Sequence, residues 1–179
     1  TFFISDTLSE INFDDLLKKN KFYKVNYSSQ NFLNSTVLVT GGGGSIGSEL
    51  CVQLLELKVK KLVIVDNSEF NLYNINNTLN QIDKGIKVFP FLVSIQNQKE
   101  LEAIFKKYNF DYVFHAAAYK HVPLIENNII SSVRNNIIGS NNVAMLSNKY
   151  NVSNLTLVST DKAVKPTNIM GATKRISEK

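Results

Sequence analysis

Two groups of residues in this sequence have types and a spacing that suit chemistry on a bound nucleotide. The first is a glycine-rich turn, 41–47, which holds five of the eight glycines. The second is the Thr-Asp-Lys segment 160–162, followed eight residues later by Met170 and then by Lys174. Glycine turns let a backbone approach phosphates, and acidic and basic side chains can transfer protons. The sequence therefore indicates a nucleotide-binding turn and a separate reactive segment.

The glycine turn matches the spacing G-x-x-G-x-x-G at Gly41, Gly44 and Gly47. We expect Gly41 to form a tight turn, Gly44 to let the backbone approach a pyrophosphate, and Gly47 to let a helix pack close to a strand. Ser45 and Ile46 fall at the start of that helix, where free N–H groups and the helix dipole favour phosphate. No Gly-Lys-Ser/Thr follows, which excludes a Walker-type phosphate loop.

An acidic residue lies at the expected distance from this turn. Asp66 is nineteen residues beyond Gly47 and ends an apolar run. A carboxylate there can accept hydrogen bonds from both ribose hydroxyls of an adenosine, and it repels a 2′-phosphate. Asn67 follows Asp66, and no arginine is close behind it. The pattern favours NAD over NADP, and the alternative is a glycine turn that binds nothing.

The elements that must position these residues follow from apolar periodicity. Runs rich in β-branched residues predict buried strands at 36–40, 61–66, 87–93, 111–115 and 154–159. Amphipathic stretches predict helices at 45–57, 68–82, 99–108 and 131–150, with a last one that begins near Asn168 and is still running at Lys179. Ser68 is expected to cap the second helix, and Pro90 favours an edge strand. The alternation predicts an α/β fold with a Rossmann-type, doubly wound parallel sheet.

The first two helices have predicted apolar faces. They consist of Ile46, Leu50, Leu54 and Leu57 in the first helix, and Phe70, Leu72, Tyr73 and Ile75 in the second. Cys51 is expected to take part in helix packing and not to act as a nucleophile.

Composition excludes several classes of protein. The 179 residues are 44% hydrophobic and 20% charged, which is ordinary for a soluble globular domain and excludes collagen-like and disordered chains. One cysteine cannot form an internal disulfide. The net charge of +5 is mild, and its densest run (Lys58, Lys60, Lys61) suits a helix end, so we expect no nucleic-acid partner. No apolar stretch is long enough to span a membrane, and two histidines with one cysteine give no metal-ligand spacing.

Five motifs together resemble a known family. They are TGGGGSIG at 40–47, the strand-end Asp66, HAAAYKHVP at 115–123, STDKAV at 159–164 and MGATKR at 170–175. They are similar to extended short-chain dehydrogenase/reductases. More narrowly, they resemble the CapD-type polysaccharide-biosynthesis proteins, which are membrane-linked bacterial UDP-N-acetylglucosamine 4,6-dehydratases. The resemblance runs from about Ile11 to the last residue and points to enzymes that make a 4-keto-6-deoxy sugar for bacillosamine-type glycans.

The resemblance implies an activity and roles for the reactive segment. NAD⁺ takes a hydride from carbon 4 of the sugar, water is lost across carbons 5 and 6, and the hydride returns to carbon 6. Thr160 would hydrogen-bond the oxygen on carbon 4, Asp161 would be the acid for water loss, and Lys162 would be the base at carbon 5. Lys174 would hold the hydroxyls of the nicotinamide ribose.

The sequence departs from the family pattern at two positions. Met170 stands where Tyr is usual and cannot exchange a proton, so Asp161, Lys162 or a water bound to Thr160 would have to accept the proton of the carbon 4 hydroxyl. Ser94 stands where an acidic residue often contacts adenine, so we expect the backbone near Ser94 and Ile95 to do so.

Other residues are assigned more simply. The small residues Ala116, Ala117 and Ala118, at the end of the fourth strand, would let a nicotinamide ring lie against the backbone. Lys120 and His121 lie in a loop that we expect to approach substrate. Asn136 is assigned to substrate binding together with Lys120 and His121, and it is also expected to brace the backbone of the site. His115 is expected to be a packed, hydrogen-bonded histidine.

The domain prediction is a lead-in with a short helix at 1–34 and a NAD-binding domain at 35–179, truncated before a substrate-binding lobe and inactive alone. The resemblance places a membrane anchor before residue 1, the whole protein at the cytoplasmic face of the inner membrane, and the enzyme in a homo-oligomer. No membrane contact is expected within this chain. The rival functions are a UDP-sugar 4-epimerase and a non-catalytic NAD-binding module.

Overall fold

The apolar runs form one parallel sheet of five strands. The computed structural model describes residues 32–82 and 85–179. The strands are β1 (Thr36–Thr40), β2 (Lys61–Asp66), β3 (Lys87–Leu92), β4 (Tyr112–His115) and β5 (Asn154–Leu157). Their order is β3-β2-β1-β4-β5, and every neighbouring pair is parallel. The chain moves outward from β1 to β3 and then returns to β4, which confirms the Rossmann-type prediction.

Burial explains the apolar character of the two central runs. Four of the five residues of β1 and five of the six residues of β2 are buried, as expected for strands covered on both faces. Pro90 lies in β3, an edge strand, in register with Ile64 of β2. An edge strand is where a proline costs the sheet least, because it has no N–H to donate.

Helices cover both faces of the sheet. They are α1 (Ser45–Glu56), α2 (Glu69–Ile82), α3 (Gln98–Lys107), α4 (Val122–Glu126), α5 (Ile129–Ser132), α6 (Gly139–Lys149) and α7 (Ile169–Ser177), with a 3-10 helix at Asp161–Ala163. The first two pack on one face through Cys51, Leu54, Leu55, Leu72, Ile75 and Leu79. On the other face α3 and α6 bury Leu101, Ile104, Phe105, Val143 and Leu146.

For three residues the prediction of a buried apolar face is wrong. Ile46, Phe70 and Tyr73 are 55%, 73% and 64% exposed. In α1 the buried face begins at Gly47 and continues four residues later at Cys51, so Ile46 is turned away from the sheet. In α2 the buried residues follow a spacing of three and four from Leu72, and Phe70 lies on the opposite side of the helix.

The predicted helix at 131–150 is not one regular α-helix. Between α5 and α6 the chain forms a π-helix, Val133–Ile138. A π-helix holds more residues per turn than an α-helix and often occurs at functional sites. Here the wider turn buries two neighbouring side chains, Asn135 and Asn136, on the side that faces the sheet ends.

The ends of the chain differ in how far they test the predictions. The short helix proposed within the lead-in at 1–34 lies outside the described residues, and the boundary at residue 35 stays a prediction. Phe32 packs its ring 4.8 Å from that of Tyr112. The last helix begins directly after Asn168, as predicted, and Asn168 caps it. It ends at Ser177 rather than continuing to Lys179.

We predict that Phe105→Ala lowers the free energy of unfolding by about 3–5 kcal/mol, because it leaves a cavity in the core. Phe105 is fully buried, and its ring centroid lies 5.2 Å from that of Phe110. Urea unfolding measures the change. The matched control is Phe70→Ala on the exposed side of α2, which should change stability by no more than about 0.5 kcal/mol. Equal losses for the two variants would contradict the packing described here.

Candidate active site

The candidate site is a cleft at the carboxyl ends of β1 and β4, where the strand order reverses. The chain after β1 turns at Gly41, which has a φ of +68°, and a Cβ there would lie 2.6 Å from the backbone of Ala117. Both the left-handed conformation and the contact require glycine. The residues after β4, 116–118, therefore lie directly against the glycine turn.

The turn leads into the N-terminus of α1. Gly44 is the residue before the helix, and no side chain caps its first turn. A Cβ on Gly47 would lie 2.8 Å from the carbonyl carbon of Gly41, so the helix packs against the turn at a distance that only glycine permits. Ser45, Ile46 and Gly47, in the first turn of α1, line a cavity at this point, and the first N–H groups of an α-helix have no partner within the helix.

A cavity of about 180 Å³ lies on the β2 side of the turn. Asp66 lines it and is 8% exposed. The N–H of Gly43 donates to its Oδ2 (2.9 Å), and the N–H of Ser68 donates to its Oδ1 (2.9 Å). The backbone thus fixes the orientation of the carboxylate, while each oxygen keeps a further lone pair for a ligand.

The lining of this cavity agrees only in part with the sequence assignments. Of the residues expected to contact a cofactor it includes Gly41, Gly44, Asp66, Asn67, Ile95 and Ala116–118, but not Ser94. The Ser94 hydroxyl instead accepts a hydrogen bond from the N–H of Gln96 (3.3 Å). Sequence reasoning missed Val65, Asn71, Val93, Tyr119 and Asn135. The ends of the neighbouring strands could have indicated Val65 and Val93.

A second cavity, of about 370 Å³, lies on the other side of the turn. The residues that line it include the first turn of α1, the end of β4, and four of the five residues expected to carry the chemistry: Thr160, Lys162, Met170 and Lys174. The fifth, Asp161, is not among the lining residues, and its side chain is 88% exposed. The structure therefore brings the glycine turn and most of the reactive segment to one cavity.

The three residues of the reactive segment interact with one another. Thr160 is the N-cap of the 3-10 helix, and its hydroxyl donates to Oδ1 of Asp161 (3.0 Å). The Lys162 ammonium lies 3.7 Å from the same oxygen. The hydrogen bond from Thr160, followed by the charge of Lys162, lowers the pKa of Asp161. In this arrangement Asp161 is ionised at neutral pH, so an acid role requires these contacts to change.

Helix α7 packs directly on that segment. A Cβ on Gly171 would lie 2.5 Å from the carbonyl oxygen of Lys162. This contact brings the predicted shared face of Met170 and Lys174 to the cavity, with both residues at least 94% buried. The Lys174 ammonium donates to the carbonyl of Val158 (2.7 Å), and burial lowers its pKa.

Asn136 braces the site from the π-helix. Its Oδ1 accepts from the N–H of Tyr119 (2.8 Å), and its Nδ2 donates to the carbonyl of Tyr119 (3.0 Å) and to the hydroxyl of Thr173 (3.0 Å). The side chain is fully buried. Bracing agrees with the geometry, but a direct contact with substrate does not, because no part of Asn136 reaches the surface.

His115 is packed and hydrogen-bonded, as predicted. Its Nδ1 lies 2.6 Å from the hydroxyl of Thr40, and its Nε2 lies 2.8 Å from that of Ser140, which itself donates to the carbonyl of Asn136 (2.6 Å). A neutral ring with its proton on Nε2 satisfies all of these bonds. Burial, and to a lesser degree the charge of Lys174, lowers the pKa of His115 to about 4.

A third cavity, of about 380 Å³, adjoins the second and shares Ala118, Tyr119 and Lys120 with it. His121 and Leu124 also line it. Both Lys120 and His121 are exposed, so the loop expected to approach substrate borders the cleft.

Two other features bear on the kind of chemistry. Cys51 is fully buried, and burial raises its pKa to about 12, so it is not a nucleophile. Across 32–82 and 85–179, no group of three or more His, Cys, Asp and Glu side chains could hold a metal ion. Over the same residues, no helix combines the length and the apolar character needed to cross a bilayer.

The comparisons with known proteins agree with this architecture. Residues 37–179 match the family described as polysaccharide biosynthesis protein. This chain belongs to that family. It is 38% identical to the capsular polysaccharide biosynthesis protein CapD of Staphylococcus aureus, over 97% of the chain and 29% of that protein. It is 39% identical to the probable polysaccharide biosynthesis protein EpsC of Bacillus subtilis, over 96% of the chain and 29% of that protein.

Relatives with named activities divide between two reactions. The chain is 34% identical to an inverting UDP-N-acetylglucosamine 4,6-dehydratase of Campylobacter jejuni and 32% identical to a UDP-glucose 4-epimerase of Rickettsia canadensis. In both comparisons it covers 43% of the relative. The chain thus spans about 29–43% of the length of these curated relatives, and the two similarities do not distinguish the reactions.

Solved structures share the fold. One is Pen from Bacillus thuringiensis, with a TM-score of 0.76 and 31% identity over 82% of this chain and 44% of that one. Another is a UDP-glucose 4-epimerase from Stenotrophomonas maltophila with bound NAD and formylated UDP-arabinopyranose. Its TM-score is 0.69 at 25% identity, over 80% of this chain and 46% of that one.

We predict that acid destabilises the fold through His115. In the unfolded chain His115 takes up a proton near pH 6.5, whereas in the folded chain it does so only near pH 4. The free energy of unfolding is therefore highest above about pH 7 and falls as the pH drops from 6.5 to about 4. The loss should reach about 3 kcal/mol, since each unit of pKa corresponds to about 1.4 kcal/mol. Urea unfolding at several pH values measures it.

The control is His115→Gln, which cannot titrate. Its stability should fall less steeply over the same pH range, even if it is lower at neutral pH. Parallel pH profiles for the two proteins would show that His115 does not cause the effect.

Proposed function

We propose that the protein to which this chain belongs dehydrates UDP-N-acetylglucosamine to a UDP-4-keto-6-deoxy-N-acetylhexosamine, with NAD as cofactor, for bacterial glycan synthesis. The observation that carries the proposal is the shared cavity, in which Thr160, Lys162 and Lys174 adjoin the glycine turn. The named relatives include a dehydratase with this substrate. The enzyme would be a lyase, because water is eliminated from the sugar and no net oxidation occurs.

The residues on the β2 side of the cleft fit a dinucleotide. The close contact at Gly41 leaves the turn free of side chains, and α1 offers its N-terminus to phosphates. Asp66 is oriented by two backbone N–H groups and can accept hydrogen bonds from ribose hydroxyls. Among the described residues that line this cavity there is no Lys or Arg to offset a 2′-phosphate, which supports NAD over NADP. When bound, NAD supplies the hydride acceptor.

The other side of the cleft supplies the remaining groups. Lys174, held by the carbonyl of Val158, would bind the nicotinamide ribose, with Ala116, Ala117 and Ala118 beside the ring. Thr160 would orient the oxygen on carbon 4, and Lys162 would take the proton from carbon 5. Lys120 and His121 border the adjoining cavity and would contact the nucleotide sugar.

Asp161 would donate a proton to the hydroxyl that leaves carbon 6. Its carboxylate now receives a hydrogen bond from Thr160 and the charge of Lys162, and both favour the ionised form. When these two partners turn to substrate and the site is covered, both effects weaken and burial favours the protonated acid. The role therefore depends on substrate binding and is not prepared in the free chain.

The Asp-Lys pair distinguishes the proposed reaction from its rival. A UDP-sugar 4-epimerase moves hydride at carbon 4 only and has no need of an acid and a base at carbons 6 and 5. Here the pair follows Thr160 directly, and Met170 replaces the tyrosine typical of the epimerase pattern.

We further propose that residues 35–179 form the cofactor domain of a homo-oligomer at the cytoplasmic face of the membrane.

The test of the reaction uses the full-length protein with NAD⁺ and UDP-N-acetylglucosamine. We expect a 4-keto product that has lost one water, detected by mass spectrometry, with no net accumulation of NADH. An epimerised sugar of unchanged mass would favour the rival reaction. An unchanged sugar, with NAD bound, would contradict both.

We predict that Asp66→Ala weakens NAD binding by about tenfold or more, since it removes two hydrogen bonds to the ribose, each typically worth about 0.5–1.5 kcal/mol. The preference for NAD over NADP should fall because the repelling charge is gone. Calorimetry with each cofactor measures both effects. The control is Glu69→Ala, an exposed carboxylate three residues away in α2. If the two variants bind NAD equally well, Asp66 does not contact the ribose.

A further inference from the structure

Met170 leaves one step of the proposed reaction without a proton acceptor. As hydride leaves carbon 4, the proton of the carbon 4 hydroxyl must also leave, and a thioether cannot accept it. The group that accepts it must line the same cavity as Met170 and have a proton-exchanging atom free to turn toward the sugar.

Most candidates in that cavity already have another role or partner: the proposed reaction uses Thr160, Lys162 and Lys174 elsewhere, and Lys120 would contact the nucleotide sugar. The Thr160 hydroxyl donates to Asp161, and the Ser159 hydroxyl donates to Glu178. Lys162 lies beside Asp161, and Lys174 donates to the carbonyl of Val158. Of the lining side chains that carry a hydroxyl, only two have no hydrogen-bond partner for it among the described residues. They are Ser45, at the start of α1, and Tyr119.

Tyr119 has the more suitable position. Ser45 belongs to the first turn of α1, where phosphate is expected. Tyr119 lines the cavity on the β2 side of the turn, the second cavity and the third cavity, so it stands where the three meet. Its side chain is 40% exposed, which leaves the phenol accessible to a ligand in the cleft.

The backbone of Tyr119 is tied to Met170 by a short chain of hydrogen bonds. Asn136 holds both the N–H and the carbonyl of Tyr119 and donates to the hydroxyl of Thr173. That hydroxyl donates to the carbonyl of Met170 (2.8 Å). Asn136 and Thr173 are buried, so water does not compete for these bonds. The backbone of Tyr119, from which the phenol extends, is thus held in place relative to α7, the helix that carries Met170 and Lys174.

We propose that Tyr119 supplies the phenol that position 170 lacks and accepts the proton of the carbon 4 hydroxyl. The inference rests on the proposed function. In the step, Tyr119 first releases its phenolic proton to solvent. The O–H bond of the sugar hydroxyl then breaks, its proton goes to the phenolate oxygen, and a C=O bond forms. The C–H electron pair leaves carbon 4 as hydride to the cofactor. Asn136 is a positioning residue that acts through the backbone of Tyr119.

The test compares three forms of the full-length protein with NAD⁺ and UDP-N-acetylglucosamine: wild type, Tyr119→Phe and Tyr119→Phe with Met170→Tyr. Phenylalanine keeps the ring and removes the hydroxyl. We expect kcat to fall by about 10²-fold or more, as is typical for loss of a general base. The affinity for NAD should stay within about threefold, as expected where only a proton acceptor is lost.

The double variant should have a kcat at least tenfold higher than that of Tyr119→Phe, because it returns a phenol to the cavity from the neighbouring helix. The control is Tyr73→Phe, which removes an exposed phenol from α2 and should leave kcat unchanged. A loss below about 30-fold in Tyr119→Phe would overturn the assignment, since general bases contribute more than this. If NAD affinity also falls, recovery in the double variant supports the assignment and its absence overturns it. A wild-type protein that binds NAD but turns over neither reaction would overturn the proposed function itself.

Discussion

The rest of the cleft depends on how closely the ends of β1 and β4 approach each other. At Gly41 the backbone takes a left-handed turn and passes so near Ala117 that no side chain fits between them. This contact defines the floor of the cleft. It separates the cavity lined by Asp66 from the reactive side, which is the cavity lined by Thr160, Lys162 and Lys174. It also fixes the start of α1, because Gly47 packs on the carbonyl group of Gly41. A larger residue at any of these points would move the helix N-terminus away from the phosphates.

The reactive side uses the same kind of contact a second time. Gly171 lets α7 lie on the carbonyl of Lys162, so the Thr-Asp-Lys turn and the buried Lys174 reach one cavity. Asn136 then joins the end of β4 to α7 through buried hydrogen bonds. Because the π-helix turns this side chain inward, one buried amide sets the distance between two walls of the cleft. The precision of the site thus comes from close backbone contacts and a few buried amides.

The sequence predicted the sheet well and the details of its helices less well. Each strand is a short apolar run with glycine, proline or polar residues beside it, and such runs leave little choice of element. Helix faces are harder, because the glycine turn rotates α1 so that Gly47, a residue without a side chain, occupies the inward position. The π-helix has no residue signal in 133–138 that sets it apart from an α-helix. The place of Tyr119 in the cleft could not be predicted for another reason. Hydrogen bonds from the Asn136 side chain to the backbone of Tyr119 set its position, and the pattern of residue types does not indicate such bonds.

The buried charges constrain what the reactive side can do. Lys174 is the one buried lysine among the described residues. Its ammonium donates to the carbonyl of Val158, and the charge of Glu178 partly offsets the effect of burial on its pKa. A second positive charge at His115 would raise the cost of burying it, and the low pKa of His115 avoids this by keeping the ring neutral. The Thr40 and Ser140 hydroxyls stabilise that neutral ring. At neutral pH the ring of His115 therefore adds no charge beside Lys174, and Lys120 and Lys162 also line this cavity. A negative charge that develops on a substrate or phenolic oxygen in this cavity would be stabilised there, and that is the electrostatic requirement of removing a proton and a hydride from one sugar carbon.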